Sequence, residues 1–481
     1  MDLLSRNHIF IYAMIGLYMG CSIPVFDKVY NTLKVVIDEK FHIPQAQAYC
    51  NGQFDVWDPK ITTLPGLYLA AAKFVSPILP CTTYNLRFFN LVISGINMGL
   101  IYIILNIVYG HSCSRFNLTL QALNMVLLPP LYFFAHVFYT DVLSLMCLLV
   151  FTIAAIKRYR IMILIFGLAS IGCRQTNAIW ILMFFSQKLC EIALKASRVY
   201  GNVKIEHNKS IKKNSSMYHV LDRSALKRTY DYEDGYHVFS MPFDRLYKSM
   251  IHNEELLTDL QHCMVLFVPV LAFGLFVLYN GSIVVGDKSA HTMTLNSPQS
   301  LYFLLFYGFF GLPFVLARFK STMKFMLQNK LVALELAVTS AICVHFNTVA
   351  HPYLLADNRH YTFYIWNRWF GRYPAAPYLT IPVYVFLTFS LLDTLRTQNC
   401  ISFLLAYYPS LMLGTALQRL LEIRYFIVPY FVARLRFPKS PNWLIICEFL
   451  WYMAINVATF TIFFTKEVKW EEFEEPQRII W

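Results

Sequence analysis

Charge is what this sequence has least of. Of its 481 residues, 14% are Asp, Glu, Lys or Arg, against about 25% in an ordinary soluble domain. So little charge excludes a disordered chain and leaves too little polar surface for a soluble protein of this length. Cysteine is sparse and scattered: 11 residues, with no CxxC pair and no His/Cys spacing, so neither a disulfide scaffold nor a zinc site is indicated. Internal repeats and Rossmann- or Walker-type glycine patterns are also missing. What is present is apolar: 57% hydrophobic and 17% aromatic residues, with a mean hydropathy of +0.47. The expected solvent is a lipid bilayer.

The net charge is +13. A nucleic-acid binder can be that basic, but the apolar excess would have no role there. A multi-pass membrane protein with basic cytoplasmic loops accounts for both, so no nucleic-acid partner is expected. A span needs about 20 apolar residues. The clearest candidates are 8–26, 88–109, 119–135, 141–156, 262–280, 299–317, 331–350, 377–394, 401–420 and 443–464. Stretches 161–173, 178–187 and 425–435 are shorter and read as half-helices or tilted hairpins. The reading is an all-α polytopic bundle in three parts: a membrane module 1–187 with a catalytic loop 27–87, a cytoplasmic polar insertion 188–260, and a second membrane module 261–481. Lys209–Ser216 reads as linker.

Basic clusters at Lys157–Arg160, after Phe185, at Arg318–Lys324 and at Arg434–Lys439 mark the cytoplasmic side. With 61–79 lying on the membrane without crossing, every unusual polar motif falls on the opposite face. These motifs are Asp38-Glu39 with His42, Tyr139-Thr140-Asp141, Arg174-Gln175, Asp287-Lys288, Asp357 to His360, and Glu422 with Arg424. Asp38 and Glu39 point about 100° apart on a helix, so they cannot share one role. One suits a general base that deprotonates a sugar hydroxyl, the other a structural partner; a solvated loop pair is the plainer alternative. His42, Gln45, Trp57 and Asp58 suit carbohydrate, and equally an interfacial helix with an aromatic anchor. Pro44 fits the first turn of a helix starting near His42. Arg174, Arg359 and Arg424, with Lys288 and His360, suit a lipid phosphate. Pairing with Asp141, Asp287, Asp357 or Glu422 is the alternative.

Five stretches carry a family resemblance: DEKFHIPQAQAYCNGQFDVWDPKITTLPGLY (38–68), RQTNAIW (174–180), VGDKSAH (285–291), HPYLLADNRHYTFYIW (351–366) and LEIRYFIVPY (421–430). With them the chain resembles the dolichyl-phosphate-glucose α-1,2-glucosyltransferases of the endoplasmic reticulum, which add the third, terminal glucose to the lipid-linked oligosaccharide of N-glycosylation. The resemblance implies a GT-C bundle of about 11–14 membrane helices with luminal interfacial helices and a luminal active site. It implies Asp38 as catalytic base with Glu39 beside it, dolichyl-phosphate-glucose as donor and a dolichyl-diphosphate oligosaccharide as acceptor. It implies inversion at the anomeric carbon, and no metal or cofactor. Arg359, His360, Arg424 and Lys288 would hold the phosphate. Lys288 stands where the family more often has Arg, which keeps the charge and loses the bidentate fork.

Two other readings stay open: a GT-C enzyme with another sugar or acceptor, and a transporter that uses the charged cluster as a solute path. The sequons at Asn117, Asn208 and Asn214 are expected to face the cytoplasm, unglycosylated. Cys50 and Cys81 share the luminal side and could pair, although two packed free thiols are the commoner outcome.

Overall fold

A computed structural model describes residues 9–110, 112–200, 253–288, 294–418, 420–471 and 475–481. The linker read at Lys209–Ser216 and the sequons at Asn208 and Asn214 lie outside these residues. The described chain is helical, apart from a two-residue antiparallel pair, Glu467–Val468 with Gln477–Arg478. Among the described residues, eight helices are long and apolar enough to cross a membrane: Ile9–Thr32, Thr83–Tyr109, Thr140–Lys157, Asn177–Ala196, Glu254–Asn280, Lys330–Asn347, Ala376–Arg396 and Asn442–Thr465.

Several apolar stretches are interrupted, each for a local reason. Stretch 119–135 is divided between Arg115–Val126 and Pro129–Phe134, because Pro129 and Pro130 cannot donate to the preceding turn. Stretch 299–317 is divided at Gly311 into Pro298–Phe310 and Leu312–Ala317, with Pro313 again at the restart. The expected half-helices 161–173 and 425–435 are present as Arg160–Cys173 and Ile427–Arg434. Stretch 178–187 is not one of them. It is the first part of the long helix Asn177–Tyr200, which continues into the region read as a polar insertion. From the other side, Glu254–Asn280 begins before residue 261. The polar residues of these extensions satisfy one another: Asp259 takes Arg158 (2.5 Å), Lys195 (2.9 Å) and Lys188 (3.2 Å).

The chain order brings helix ends together in two layers. Arg158–Asp259, Asn399 on the Arg436 carbonyl and Asn117 on the Ser440 carbonyl hold one end of the bundle. The segments after Thr32, before Thr140, between Cys173 and Asn177 and after Ala416 meet at the other. There, the segment 61–79 forms only the short apolar helix Gly66–Val75. Ten residues cover about 15 Å, half a bilayer core. It packs so closely on the end of Arg160–Cys173 that a Cβ on Gly66 would lie 2.6 Å from the Gly172 carbonyl carbon, so only glycine fits.

Candidate active site

Helix Glu39–Cys50 starts three residues before the His42 expected from Pro44, and Pro44 lies inside it. The reason is the carboxylate of Glu39. It accepts the Val36 N–H (2.8 Å) and the Phe138 N–H (2.6 Å), and it is gripped by Arg87 at 2.9 and 2.5 Å. Arg87 also donates to the Leu33 and Lys34 carbonyls. Both side chains are 0% exposed. Glu39, expected beside the base, is therefore the structural partner: its oxygens are engaged and sealed from any substrate.

Asp38 differs in every respect. It occupies the N-cap position, but its side chain makes no capping hydrogen bond. A capping Asp normally does so and adds about 1 kcal/mol. Instead it turns outward, 39% exposed, and meets Arg424 Nη2 at 3.2 Å. Its own N–H donates to the Tyr139 hydroxyl at 3.1 Å, which in turn reaches the Val36 carbonyl at 3.3 Å. Burial pushes the Tyr139 phenol well above its ordinary pKa, and the charge of Asp38 adds to this, so the hydroxyl stays protonated. The preceding Ile37 has φ +38°, a left-handed conformation that a β-branched residue adopts only under constraint. The strained backbone aims Asp38 away from its own helix.

Around Asp38 the structure gathers Asp141, Arg174, Glu422 and Arg424. Arg424 pairs with Glu422 (2.7 Å) as well as Asp38, and stands 3.9 Å from Asp141. Asp141 forms an ion pair with Arg174. The Arg424 guanidinium lies over the Tyr139 ring (5.1 Å) and Arg174 over Tyr425 (5.4 Å). Burial alone would lower the Arg424 pKa; the charges of Glu422, Asp38 and Asp141 more than reverse this, and the group stays cationic. Gln299 holds the approach to this arginine by donating to the Gln418 and Leu420 carbonyls.

The remaining candidates divide into braces and a second cluster. His42 is hydrogen-bonded through Nδ1 to the Tyr68 hydroxyl at 2.6 Å and lies 8% exposed. Gln45 uses both ends of its amide on the loop it faces, donating to the Val56 carbonyl and accepting the Asp58 N–H. Trp57 packs on Tyr49 and Tyr68, and Asp58 accepts the Lys60 N–H. Gln175 donates to the Thr62 carbonyl. Asp287 donates its N–H to the Pro59 carbonyl (2.7 Å) across Gly286, whose φ is +68° and where a Cβ would lie 2.4 Å from Pro59 O, so a side chain is excluded. Lys288 donates to the Asn280 carbonyl at 2.5 Å and so closes its own loop.

Asp357, Arg359 and His360 form the second cluster. Asp357 takes Arg359 bidentately, at 2.9 and 2.7 Å, with His360 Nε2 at 3.8 Å. Burial pushes the Asp357 carboxyl up, but the Arg359 hydrogen bonds and the charges of His360 and Arg359 hold it below the usual range.

Cys50 and Cys81 are joined, against the expectation of two free thiols. The bond ties the end of the Asp38 helix to the start of Thr83–Tyr109, reinforced by Gln47 on the Cys81 carbonyl and Ser76 on the Cys50 carbonyl. Arg87 was also not anticipated. Its only signal was a guanidinium at the head of an apolar run. Among the described residues no group of three or more His, Cys, Asp or Glu side chains could hold a metal ion.

Fold and site define a multi-pass helical membrane protein with an open carboxylate, Asp38, set beside an arginine at a bundle end. A family model described as the DIE2/ALG10 family matches residues 32–435, and the chain belongs to that family. It is 37% identical over 469 residues to a Drosophila melanogaster protein named Dol-P-Glc:Glc(2)Man(9)GlcNAc(2)-PP-Dol alpha-1,2-glucosyltransferase, covering 96% of each chain. It is 34% identical to the Mus musculus protein of the same name and 33% identical to a Homo sapiens one, with 92% of this chain and 93% of each relative covered. No solved structure matches.

Proposed function

We propose that this protein is the dolichyl-phosphate-glucose-dependent α-1,2-glucosyltransferase that adds the third glucose to the diglucosylated lipid-linked oligosaccharide, with Asp38 as general base. The observation that carries the assignment of the base is the uncapped, outward-facing carboxylate of Asp38, set beside the sealed Glu39. The acceptor's 2-hydroxyl oxygen attacks the anomeric carbon while Asp38 takes its proton. The C1–O bond to phosphate breaks, and dolichyl phosphate leaves with the electron pair. A base of this kind contributes roughly 10²–10⁴-fold.

The geometry divides the two sides of this displacement. Nucleophile and leaving group lie on opposite faces of the sugar. In inverting glycosidases the two catalytic carboxyl groups stand ~6.5–9.5 Å apart because a nucleophile must fit between the base and the sugar. Arg424 is only 3.2 Å from Asp38, too near to hold the departing phosphate. Its surroundings agree: Asp38, Asp141 and Glu422 set three carboxylates against the guanidiniums of Arg174 and Arg424, which disfavours another anion. Arg424 therefore orients the base on the acceptor side, and the phosphate belongs with Arg359 and His360. The disulfide supports a luminal site, because such bonds form in oxidising compartments such as the endoplasmic reticulum lumen.

The test is D38N in microsomes fed dolichyl-phosphate-glucose and the diglucosylated acceptor. The variant is expected to fold, keep its disulfide and lose transfer; full activity would remove Asp38 from the role. Wild-type enzyme offered dolichyl-phosphate-mannose instead is expected to transfer nothing. Mannose transfer would favour the reading with another sugar.

A further inference from the structure

Residues 467–471 and 475–481 fold back onto the second cluster. Ile480 donates its N–H to the Arg359 carbonyl (2.7 Å) and accepts the Tyr361 N–H (3.1 Å), bracketing His360 in a parallel bridge. His360 Nδ1 lies 3.2 Å from the Trp481 carbonyl, and the Trp481 ring packs at a tilt against Tyr361, centroids 4.7 Å apart. Trp470 faces the Arg359 guanidinium itself. Its ring lies 3.9 Å from the Arg359 guanidinium carbon, and its Nε1 donates to Asn358 Oδ1 at 2.8 Å. Asp357 holds one edge of that guanidinium, so carboxylate and indole together fix the plane in which it lies. The same segment reaches the base side, where Glu475 meets Lys34 at 3.2 Å in an exposed pair.

We propose that Trp470 is a positioning residue of the donor-phosphate site: it stacks on Arg359 and fixes the orientation in which that guanidinium, with His360, receives the phosphate of the lipid donor. The inference rests on the assignment of Arg359 and His360 to the donor side. An arginine that binds phosphate must present a planar edge, and an unfixed side chain would lose rotamer freedom on every binding event. A ring on its face removes that loss and adds a cation–π attraction. Trp470 itself meets Arg359 and Asn358, so its effect belongs to donor binding rather than to the displacement.

Full-length enzyme is assayed with dolichyl-phosphate-glucose and acceptor varied separately. W470A is expected to raise the donor KM about tenfold, with kcat and acceptor KM nearly unchanged, and W470F to restore most of the loss because the stacking face returns. Asn358→Ala, which leaves the ring in place but unhooks its N–H, is expected to raise the donor KM about threefold and serves if W470A does not fold. A fall in active enzyme without a change in donor KM, or equal rises for donor and acceptor, would show a merely structural contact and overturn the proposal. Arg359→Ala separates the two layers. If it leaves the donor KM unchanged, the donor-side assignment fails and this proposal with it. If it raises the donor KM while W470A and Asn358→Ala do not, only the role of Trp470 falls.

Discussion

Asp38 and Glu39 carry the same functional group one residue apart, and the fold uses them in opposite ways. Glu39 is closed off, matched by Arg87 and two backbone N–H groups, and holds the loop 33–38 and the segment before Thr140 to the helix start. Asp38 is left open, with an arginine on one side and a tyrosine hydroxyl fixing its backbone. A sealed ion pair makes rigidity, and an open carboxylate is available for the proposed role of base. The first is the condition for the second: Asp38 can stand uncapped on a strained Ile37 because Glu39 holds the backbone on both sides of it.

The comparison breaks most visibly in activity. D38N should lower transfer by roughly 10²–10⁴-fold, with the amount of folded, disulfide-bonded protein unchanged. Next comes Glu39→Gln, whose effect should fall on folding. Removing one partner of a buried pair costs about 3–5 kcal/mol, so the monodisperse fraction after solubilisation should drop sharply. Replacing both Glu39 and Arg87 by Leu should recover part of that yield. Recovery stays incomplete because the Val36 and Phe138 N–H groups lose their acceptor, at about 1–3 kcal/mol each. A Glu39→Gln protein with normal yield and no activity would reverse the two roles.

Much of this arrangement was legible from residue types alone. Apolar runs gave the helices, and the parity that set basic clusters on one face gathered Asp38, Asp141, Arg174, Glu422 and Arg424, which the structure brings into contact. The division of labour between Asp38 and Glu39 was not legible, because it depends on Arg87, 48 positions further on. The limits of helix Glu39–Cys50 were misread from Pro44, since the carboxylate of Glu39 outweighs a proline preference. Residues 467–471 and 475–481 left no periodic signal: they act through a two-residue pairing and two tryptophans. The arginines drew one common reading as phosphate ligands, and what sets Arg424 apart is its 3.2 Å contact with Asp38.

The disulfide sharpens the comparison at the far end of the same helix. Cys50–Cys81 closes a separation of 31 residues, which in the chain-entropy view stabilises by about 3–4 kcal/mol. Replacing both cysteines with serine should lower the unfolding temperature and increase protease sensitivity within 50–81. Transfer at low temperature should persist, because Glu39 and Arg87 hold the Asp38 end independently. Complete loss of transfer by folded enzyme would mean that the disulfide, rather than the ion pair, fixes the base.

The smallest effect concerns His42, between the two carboxylates and the braced loop. Burial lowers its pKa; Asp38 opposes this and Arg424 adds to it. In the unfolded chain the imidazole takes up a proton near its ordinary value of 6.5, whereas in the folded protein it stays neutral to lower pH. The contribution to stability is therefore complete above about pH 6.5 and is lost as pH falls toward the lowered folded value. The folded group must then either charge without solvent or give up its 2.6 Å hydrogen bond to Tyr68. Unfolding temperature should decline from pH 7 to 5, and His42→Gln should flatten that decline while lowering stability at pH 7. An unchanged slope in the variant would place the titration elsewhere and leave His42 as a packing residue beneath Asp38.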